Sequence, residues 1–342
     1  MAVTLEALDY SRPVQPLFAQ AARSGIVHSV FPKALNIVVD DTLFVLLSSE
    51  VQRMPNGARL PAIVMEQLYA KLSPATEVSI GDHRLYIPTL DFSIYLPGKA
   101  AWEPVPAIAA HRWHRSVVTQ HACTLARHLA HRSQQDGLAP LVKPLLLRRL
   151  VQETPLAKMA LPLLRLLVRA TRQQDITGVE KAARGLAGLG PGLTPSGDDT
   201  LGGFIGVLAL LSKWGRTPTR GVPTCGLTQT LPMKSDIALA TIIADTARTR
   251  TTILSATLLA HAARGELAEY VGDLLISLAL PVAASDAVIQ AAERVLAYGA
   301  CSGGDTLLGI LLGLQASGID YPIDYTGESY GYTGATQAQY VL

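Results

Sequence analysis

Short apolar runs, each closed by turn-forming residues, fill the first hundred positions of the chain. Val, Ile, Leu, Phe and Tyr dominate these runs, and their length and composition are typical of β-strands. Turn signals separate them, for example Asp40-Asp41 and Gly81-Asp82. The predicted strands cover residues 25–31, 34–39, 42–48, 77–80 and 84–87, with one helix at 61–72. The pattern predicts a mostly antiparallel β domain over residues 1–100.

A different pattern, with apolar residues three to four positions apart, begins at about residue 108 and predicts helices. Thr154-Pro155 is typical of a helix start, with an N-cap followed by proline at the first helical position. The predicted helices cover residues 108–132, 138–152, 156–172, 178–186, 198–213, 235–246, 252–264, 266–280, 285–296 and 305–316. The fold class is therefore α+β, in which an all-helical domain over residues 107–318 follows the β domain. Residues 319–342, rich in Tyr and Gly, are expected to form an extended tail, and we assign it no function.

The composition is apolar and poor in charge, since 49% of the 342 residues are hydrophobic and 16% are charged. This balance excludes a disordered chain, and the length suits one large or two ordinary domains.

Each uncharged run is shorter than the roughly 18 residues that a membrane-spanning helix needs, so we expect no membrane association. The first ten residues hold two acids and no base, unlike a signal peptide. Three cysteines without a CxxC pair favour a reducing, cytoplasmic location.

Charge is distributed unevenly along the chain. The net charge of +2 gives no case for nucleic-acid binding. Residues 111–172 contain eleven Lys and Arg against two acids, a balance of +9, which leaves 18 bases and 25 acids, or −7, for the rest. Such a basic segment could attract an anionic substrate or a partner subunit, or it could simply be a solvated face.

The most informative segment is GLGPGLTPSGDD, residues 188–199, which delivers a Gly/Pro-rich loop to the start of a predicted helix. Free N–H groups at a helix N-terminus favour an anion, and two adjacent carboxylates oppose one. Three arrangements resolve this conflict: a metal bridges them, a substrate amide faces them, or one Asp caps the helix in a capping box with Ser196. The predicted catalytic residues here are Asp198 and Asp199, which would also hold Mg²⁺ if a metal is bound. The predicted substrate-binding residues are Gly190, Gly192, Thr194, Ser196 and Gly197.

The motif recurs near the end of the helical domain. Residues 196–203 and 302–309 share six identities in eight positions, which adds Ser302 and Gly303 to the candidate binding residues and Asp305 to the candidate catalytic ones. Each copy opens a helix with a GxxxG spacing, Gly202/Gly206 in the first and Gly309/Gly313 in the second. Small residues at this spacing let helix backbones approach closely. We expect the two helices to pack together, with their N-termini near one shared pocket.

A third segment, residues 245–255, contains two arginines and several hydroxyls. Arg248 and Arg250 could clamp a carboxylate or a phosphate. Thr251 and Thr252 precede the next apolar helix, where binding a ligand and capping the helix are equally good explanations.

Three of these segments together resemble the AllH-like family, whose namesake is a subunit of the oxamate carbamoyltransferase of anaerobic allantoin breakdown. They are GLGPGLTPSGDD, TRTTILSATLLAHAARGE and SGGDTLLGILLGL, and an N-terminal GIVHSVFPKALNI extends the resemblance to about residues 25–318. The resemblance implies phosphorolysis of oxalurate to oxamate and carbamoyl phosphate, or its reverse, by this subunit acting with two other proteins. It implies small anionic substrates, carbamoyl phosphate and an oxamate-like acceptor. As our own hypothesis, Thr194 and Ser196 face the anionic groups and the three aspartates face an amide or a cation.

Two alternatives stand beside the carbamoyltransferase subunit. One is a stand-alone, Mg²⁺-dependent phosphoryl- or acyl-transfer enzyme, in which the aspartates hold the ion. The other is a non-catalytic partner protein whose glycine-rich loop binds an anion.

Overall fold

The computed structural model describes residues 3–98, 101–107, 114–132, 136–147, 149, 154–214, 233–280 and 285–319. Residues 320–342 of the predicted tail and Cys225 lie outside the described residues, as do residues 111–113, 133–135, 148 and 150–153 of the basic segment. None of the helices in the described ranges combines the length and the apolar character needed to cross a membrane.

The N-terminal domain is one mixed sheet with two short helices. Its strands are β1 (Val3–Glu6), β2 (Asp9–Ser11), β3 (Arg23–Phe31), β4 (Ala34–Val39), β5 (Thr42–Ser48), β6 (Gly57–Leu60), β7 (Glu77–Gly81), β8 (Arg84–Ile87), β9 (Phe92–Tyr95) and β10 (Ala101–Trp102). The helices are α1 (Gln15–Ala19) and α2 (Ala62–Lys71). The ten strands follow the order β1-β9-β8-β7-β3-β4-β5-β6-β2-β10.

Most strand pairings in this sheet are antiparallel, which confirms the predicted β domain. The pairs β1/β9, β2/β10 and β5/β6 are parallel. All five predicted strands are present as β3, β4, β5, β7 and β8. The strands missed by the sequence pattern have two to four residues each, too few for a period of two to be visible. Phe18 of α1 packs edge-to-face on Phe44 of β5, with ring centroids 5.4 Å apart, in the core.

The second domain is helical throughout the part of it that the structure describes. Its helices are α3 (Arg115–His131), α4 (Val142–Leu146), α5 (Pro155–Gln173), α6 (Ile176–Leu186), α7 (Ser196–Trp214), α8 (Met233–Arg248), α9 (Ile253–Ala263), α10 (Glu269–Ala279), α11 (Ser285–Leu296) and α12 (Ser302–Ala316). The predicted start of α5 is confirmed, because the Thr154 side chain accepts the amide of Ala157 at 3.1 Å. The single helix predicted over 138–152 is wrong. A 3₁₀ turn and the five-residue α4 replace its first part, since Pro140 and Pro144 interrupt helical hydrogen bonding.

Helices α7 and α12 lie in direct backbone contact, as the repeated motif predicts. A Cβ on Gly203 would overlap the carbonyl oxygen of Thr306, and a Cβ on Gly309 would overlap that of Thr200. Gly313 lies against Phe204 of α7, with 2.8 Å between the position of a Cβ and the Phe204 oxygen. The second GxxxG spacing therefore faces α7 as expected.

The first GxxxG spacing does not make this contact, so that prediction is wrong. A Cβ on Gly202 would lie 3.9 Å from the side chain of Leu259 in α9, and a Cβ on Gly206 would lie 2.9 Å from the side chain of Leu267. The contact falls one residue further along, at Gly203. One residue rotates a helix by about 100°, which moves a side chain to another face.

An ion-pair cluster joins the two domains beside α10. The guanidinium of Arg53, which follows β5, pairs with Glu269 at the start of α10 and lies 3.2 Å from Asp9 of β2. The backbones also bond, since the amide of Glu269 donates to the carbonyl of Arg53 at 3.1 Å. This cluster fixes the first turn of α10 against the sheet, and with it the side chain of Tyr270.

Candidate functional site

The loop that leads into α7 passes three times through the left-handed backbone region. Gly188, Gly190 and Gly192 have φ values of 72°, 117° and 98°, which glycine adopts without strain. A Cβ on Gly188 would overlap the carbonyl oxygen of Arg250, so this glycine also admits the turn between α8 and α9. A Cβ on Gly192 would have no other atom within 4 Å, so only the backbone conformation favours glycine there. The glycines therefore set the path of the loop.

The first backbone N–H groups of α7 are engaged by the loop itself. The amides of Asp198 and Asp199 donate to the carbonyl of Pro195 at 2.8 and 3.1 Å. The helix begins at Ser196, so Ser196 is not the N-cap and the capping-box alternative is wrong. The anion expected at this helix start would therefore compete with the protein's own carbonyl groups for these amides.

Two of the predicted substrate-binding glycines face the backbone of the preceding helix. A Cβ on Gly197 would overlap the carbonyl oxygen of Leu186, the last residue of α6. Gly303 stands against the carbonyl oxygen of Val295 of α11 in the same manner. Only glycine permits these approaches, and each copy of the motif thereby holds its helix start against the helix before it.

Asp198 ties the loop to the start of α9. One carboxyl oxygen accepts the amide of Gly188 at 2.9 Å, and the other accepts the hydroxyl of Thr251. Burial raises the pKa of Asp198, and the hydrogen bonds from Thr251 and Gly188 act against that rise. Both oxygens of Asp198 are therefore used inside the chain.

Asp199, the next residue of α7, faces a pocket and has an unused oxygen. Its Oδ2 atom is buried and has no hydrogen-bond partner. Burial raises the pKa of Asp199 to about 7. The nearby hydroxyls of Ser302 and Thr194 act against this rise, whereas the charges of Asp305 and Asp198 add to it. A carboxyl that titrates near neutrality can accept and return a proton, as general acid–base catalysis requires.

Asp305 occupies the equivalent position in α12 and is enclosed by protein. One oxygen accepts the amides of Leu138 and Ala139 at 2.6 and 2.9 Å. The other is buried without a hydrogen-bond partner, and the residue is 0% exposed. Burial raises the pKa of Asp305 to about 6, against the opposing effects of the Ser196 hydroxyl and the two amides. Asp305 is therefore shielded from solvent, and its charge raises the pKa of Asp199.

The two copies of the motif meet through their hydroxyl and thiol groups. The hydroxyl oxygens of Thr194 and Ser302 lie 3.1 Å apart, and Ser196 Oγ lies 3.6 Å from Cys301 Sγ. These contacts join residues about one hundred positions apart in sequence. They confirm that the starts of α7 and α12 lie together, as the repeat predicts.

The pocket in front of Asp199 lies between the two domains. Met54 and Pro55, which follow β5, close one side of it. Tyr270 of α10 and Tyr298, which precedes α12, form another side, with their rings stacked at a centroid distance of 5.0 Å. The pocket therefore depends on both domains and on the ion pairs that hold α10 against the sheet.

Several lining residues escaped the sequence reasoning. Tyr298 stands three positions before Cys301, so its proximity to the second motif was a usable signal. Tyr270 lies inside a predicted helix with nothing to distinguish it, whereas Ser255 closes the hydroxyl-bearing segment 245–255 that the sequence did single out. Ser255 Oγ is buried and borders the pocket, and its hydroxyl lowers the pKa of Asp198.

The arginines predicted to clamp an anion do not line this pocket. Arg250 donates to the carbonyl of Arg184 at 3.0 Å, at the end of α6. Arg248 lines a separate depression on the other side of α9. Thr252 is the N-cap of α9, accepting the amide of Ser255 at 3.1 Å, and donates to the carbonyl of Leu193 at 2.7 Å. Thr252 thus performs the capping that the sequence left open.

The described residues contain no group of three or more His, Cys, Asp or Glu side chains arranged to hold a metal ion. Asp198 has both oxygens engaged, so the expected Asp198–Asp199 pair offers Mg²⁺ a free oxygen from Asp199 alone. Mg²⁺ prefers six oxygen ligands and often binds through one or two carboxylates and several waters. A magnesium site remains a prediction.

Two protein-family models match the chain, and no solved structure matches it significantly. The model described as the AllH family N-terminal domain matches residues 6–101, which is the sheet domain. The model described as oxamate carbamoyltransferase subunit AllH matches residues 186–314, which includes α7, most of α12, both copies of the repeated motif and residues 245–255. The chain therefore belongs to the AllH family of oxamate carbamoyltransferase subunits.

Proposed function

We propose that this chain supplies the pocket in which a carbamoyl group passes between phosphate and the amide nitrogen of oxamate. The observation that carries the proposal is Asp199. It combines an unpartnered buried oxygen with a pKa of about 7 at the wall of a pocket. The family to which the chain belongs is named for a carbamoyltransferase subunit, which supports this chemistry.

The reaction requires a proton acceptor at the attacking nitrogen. In the synthetic direction the amide nitrogen of oxamate forms a C–N bond to the carbonyl carbon of carbamoyl phosphate, and the C–O bond to phosphate breaks. The nitrogen loses one proton to the carboxylate of Asp199, which returns it to the departing phosphate. The reverse sequence is phosphorolysis of oxalurate. A general base of this kind accelerates a reaction by about 10²- to 10⁴-fold.

Hydroxyl groups around Asp199 suit the carbamoyl oxygen, which gains negative charge as the nitrogen attacks. Thr194, Ser255 and Tyr298 line the same pocket. Donors that are fixed before the reaction stabilise such charge without reorganisation. We propose that one or more of these three hydroxyls bind the carbamoyl oxygen.

The charge of the pocket wall favours a multi-subunit enzyme. The described lining includes Asp198, Asp199 and Glu266 and contains no Lys or Arg. Glu266 is itself paired with Arg264 at 2.9 Å and with His261 at 2.7 Å. We propose that another subunit supplies the cations that hold the phosphate and carboxylate groups of the substrates. The cytoplasmic location expected from the cysteine pattern is part of the same proposal.

The proposal is tested by reconstituting the chain with the other subunits of the enzyme. Oxalurate formation from oxamate and carbamoyl phosphate is measured with and without this chain, in Mg²⁺ and in chelator. We expect oxalurate to form only when this chain is present. Equal turnover without this chain would show that it is a non-catalytic partner. If the chain alone forms oxalurate and the chelator abolishes that activity, the result would support the Mg²⁺-dependent alternative.

A further inference from the structure

Three exposed arginines lie on one face of α5, within the basic segment of residues 111–172. Arg165, Arg169 and Arg172 are four and three positions apart, so they lie on successive turns of the helix and their side chains are neighbours. Like charges at this spacing destabilise a helix. A bound anion that contacts all three would relieve this repulsion.

The three arginines border a cavity of about 310 Å³. Leu145 of α4 and Val168 of α5 supply its apolar lining, and Gln173 and Gln315 add amide groups. The described lining contains no Asp or Glu. Sites for small molecules combine apolar walls with a few polar groups and have volumes of about 300–1,000 Å³. The cavity therefore has the size and lining of a site for a compact ligand, and its charge is positive.

The guanidinium of Arg172 is held in place by the C-terminal end of α12. Its Nε and Nη2 atoms donate to the carbonyl oxygen of Gln315 at 2.9 and 2.7 Å. Carbonyl groups in the last turn of a helix lack a partner within the helix, so a cation is favourable there. Arg165 and Arg169 make no ion pair or side-chain hydrogen bond with any described residue. Their guanidinium groups are therefore available to a ligand, beside a third that is already oriented.

This cavity is separate from the pocket in front of Asp199 and has the opposite charge. The described linings of the two share no residue, and the lining near Asp199 includes acids and no Lys or Arg. Gln315 follows Asp305 by ten residues on α12, which corresponds to about 15 Å along the helix axis. A ligand in the arginine cavity therefore does not contact Asp199.

We propose that this cavity binds a triphosphate chain, either free or as part of a nucleotide, between the three guanidinium groups. A guanidinium presents parallel N–H groups that match two oxygens of a phosphate. The charges of a triphosphate follow one another along the chain, as the arginines do along the helix. A single carboxylate would neutralise only part of the charge of the cavity. The proposal goes beyond carbamoyl transfer, because the cavity contains no residue assigned to that reaction.

The test is a calorimetric titration of the full chain with inorganic triphosphate, in buffer without divalent metal ions. The wild type is compared with Arg165→Gln, Arg169→Gln and Arg12→Gln. Arg12 is an exposed arginine of the N-terminal domain and serves as the control for loss of one positive charge. Glutamine is a good helix former and both α5 positions are exposed, so these variants should fold as the wild type does.

We expect triphosphate to bind the wild type, and each α5 variant to bind it about tenfold or more weakly, since each loses hydrogen bonds to a charged group. Arg12→Gln should bind as the wild type does. No binding to the wild type, or an unchanged affinity in both α5 variants, would overturn the proposal.

Two further ligands distinguish the sources of negative charge. A nucleoside triphosphate that binds more tightly than inorganic triphosphate would assign the site to a nucleotide, and equal affinities would assign it to the phosphate chain alone. A peptide of consecutive glutamates carries its charge on a polypeptide. Tighter binding of this peptide would show that the cavity docks an acidic protein segment, and would overturn the proposal. Binding is measured without turnover, so the result is independent of carbamoyl transfer.

Discussion

Gly309 of α12 lies directly on the carbonyl oxygen of Thr200 in α7, so closely that a Cβ on Gly309 would overlap that oxygen. The backbone atoms on both sides belong to helices and cannot move as the end of a flexible side chain can. Thr200 directly follows Asp199 and Gly309 lies one helical turn after Asp305, so this contact fixes the two helix starts against each other.

We expect Gly309→Ala to lower the free energy of unfolding by about 1–3 kcal/mol, the usual cost of overpacking a core. Gly202→Ala is the matched control, because a Cβ there meets only Leu259 at 3.9 Å. Alanine is favoured over glycine inside a helix by up to about 1 kcal/mol, so Gly202→Ala should be neutral or stabilising. Urea unfolding measures both variants, and equal stabilities would contradict the backbone contact.

The hydrogen bond from Thr251 to Asp198 should couple the loop before α7 to the start of α9. We expect Asp198→Asn and Thr251→Val each to destabilise the protein, and the double variant to lose less than the sum. The expected coupling is about 1–3 kcal/mol, as for buried hydrogen bonds to a charged group. A double-mutant cycle in urea measures it. Additive losses would show that Asp198 does not depend on Thr251.

Stability should depend on pH through Asp199. Its pKa is raised from 3.8 to about 7 in the folded protein, so the folded state binds the proton more tightly than the unfolded chain does. The stabilisation from this proton is complete below about pH 4 and is lost as the pH rises to about 7. Asp199→Asn should therefore match the wild type near pH 4 and exceed it in stability at pH 8. Unfolding free energies measured across this range should diverge; parallel curves would contradict the raised pKa.

The Arg53–Glu269 pair should matter more than an exposed ion pair. It is partly buried and adjoins Tyr270 of the pocket, and Glu269→Gln leaves the guanidinium of Arg53 partly unpaired. The control is Arg12→Gln, which breaks a pair whose side chains are 58% and 55% exposed and should cost less than about 1 kcal/mol. We expect a larger drop in the unfolding midpoint for Glu269→Gln. Equal drops would show that this pair does not hold the domains together.

Local features of the sequence predicted most of the fold and part of the site. The apolar periods located the main strands and helices, and the shared Ser-Gly-x-Asp-Thr pattern placed the starts of α7 and α12 together. The pattern did not determine the rotation of α7, and so it favoured Gly202 over Gly203 as the contact residue. A shift of one residue cannot be read from spacing when both positions are glycine.

The long-range parts of the site left no local trace. The amide of Leu138 meets Asp305 across 167 positions of sequence, and Tyr270 reaches the pocket only because Glu269 is held by Arg53. Arg248 and Arg250 stand beside the motif in sequence, yet their side chains leave the pocket. Such contacts depend on how whole elements pack, and residue spacing does not encode them.

The proposed function depends above all on Asp199, which accepts the proton from the attacking amide. The most direct measurement is the single-turnover rate of oxalurate formation by the reconstituted enzyme carrying Asp199→Asn, with substrate binding measured alongside. Because asparagine keeps the shape and loses the base, the rate should fall by about 10²-fold or more while oxamate still binds. A rate equal to that of the wild type would contradict the account.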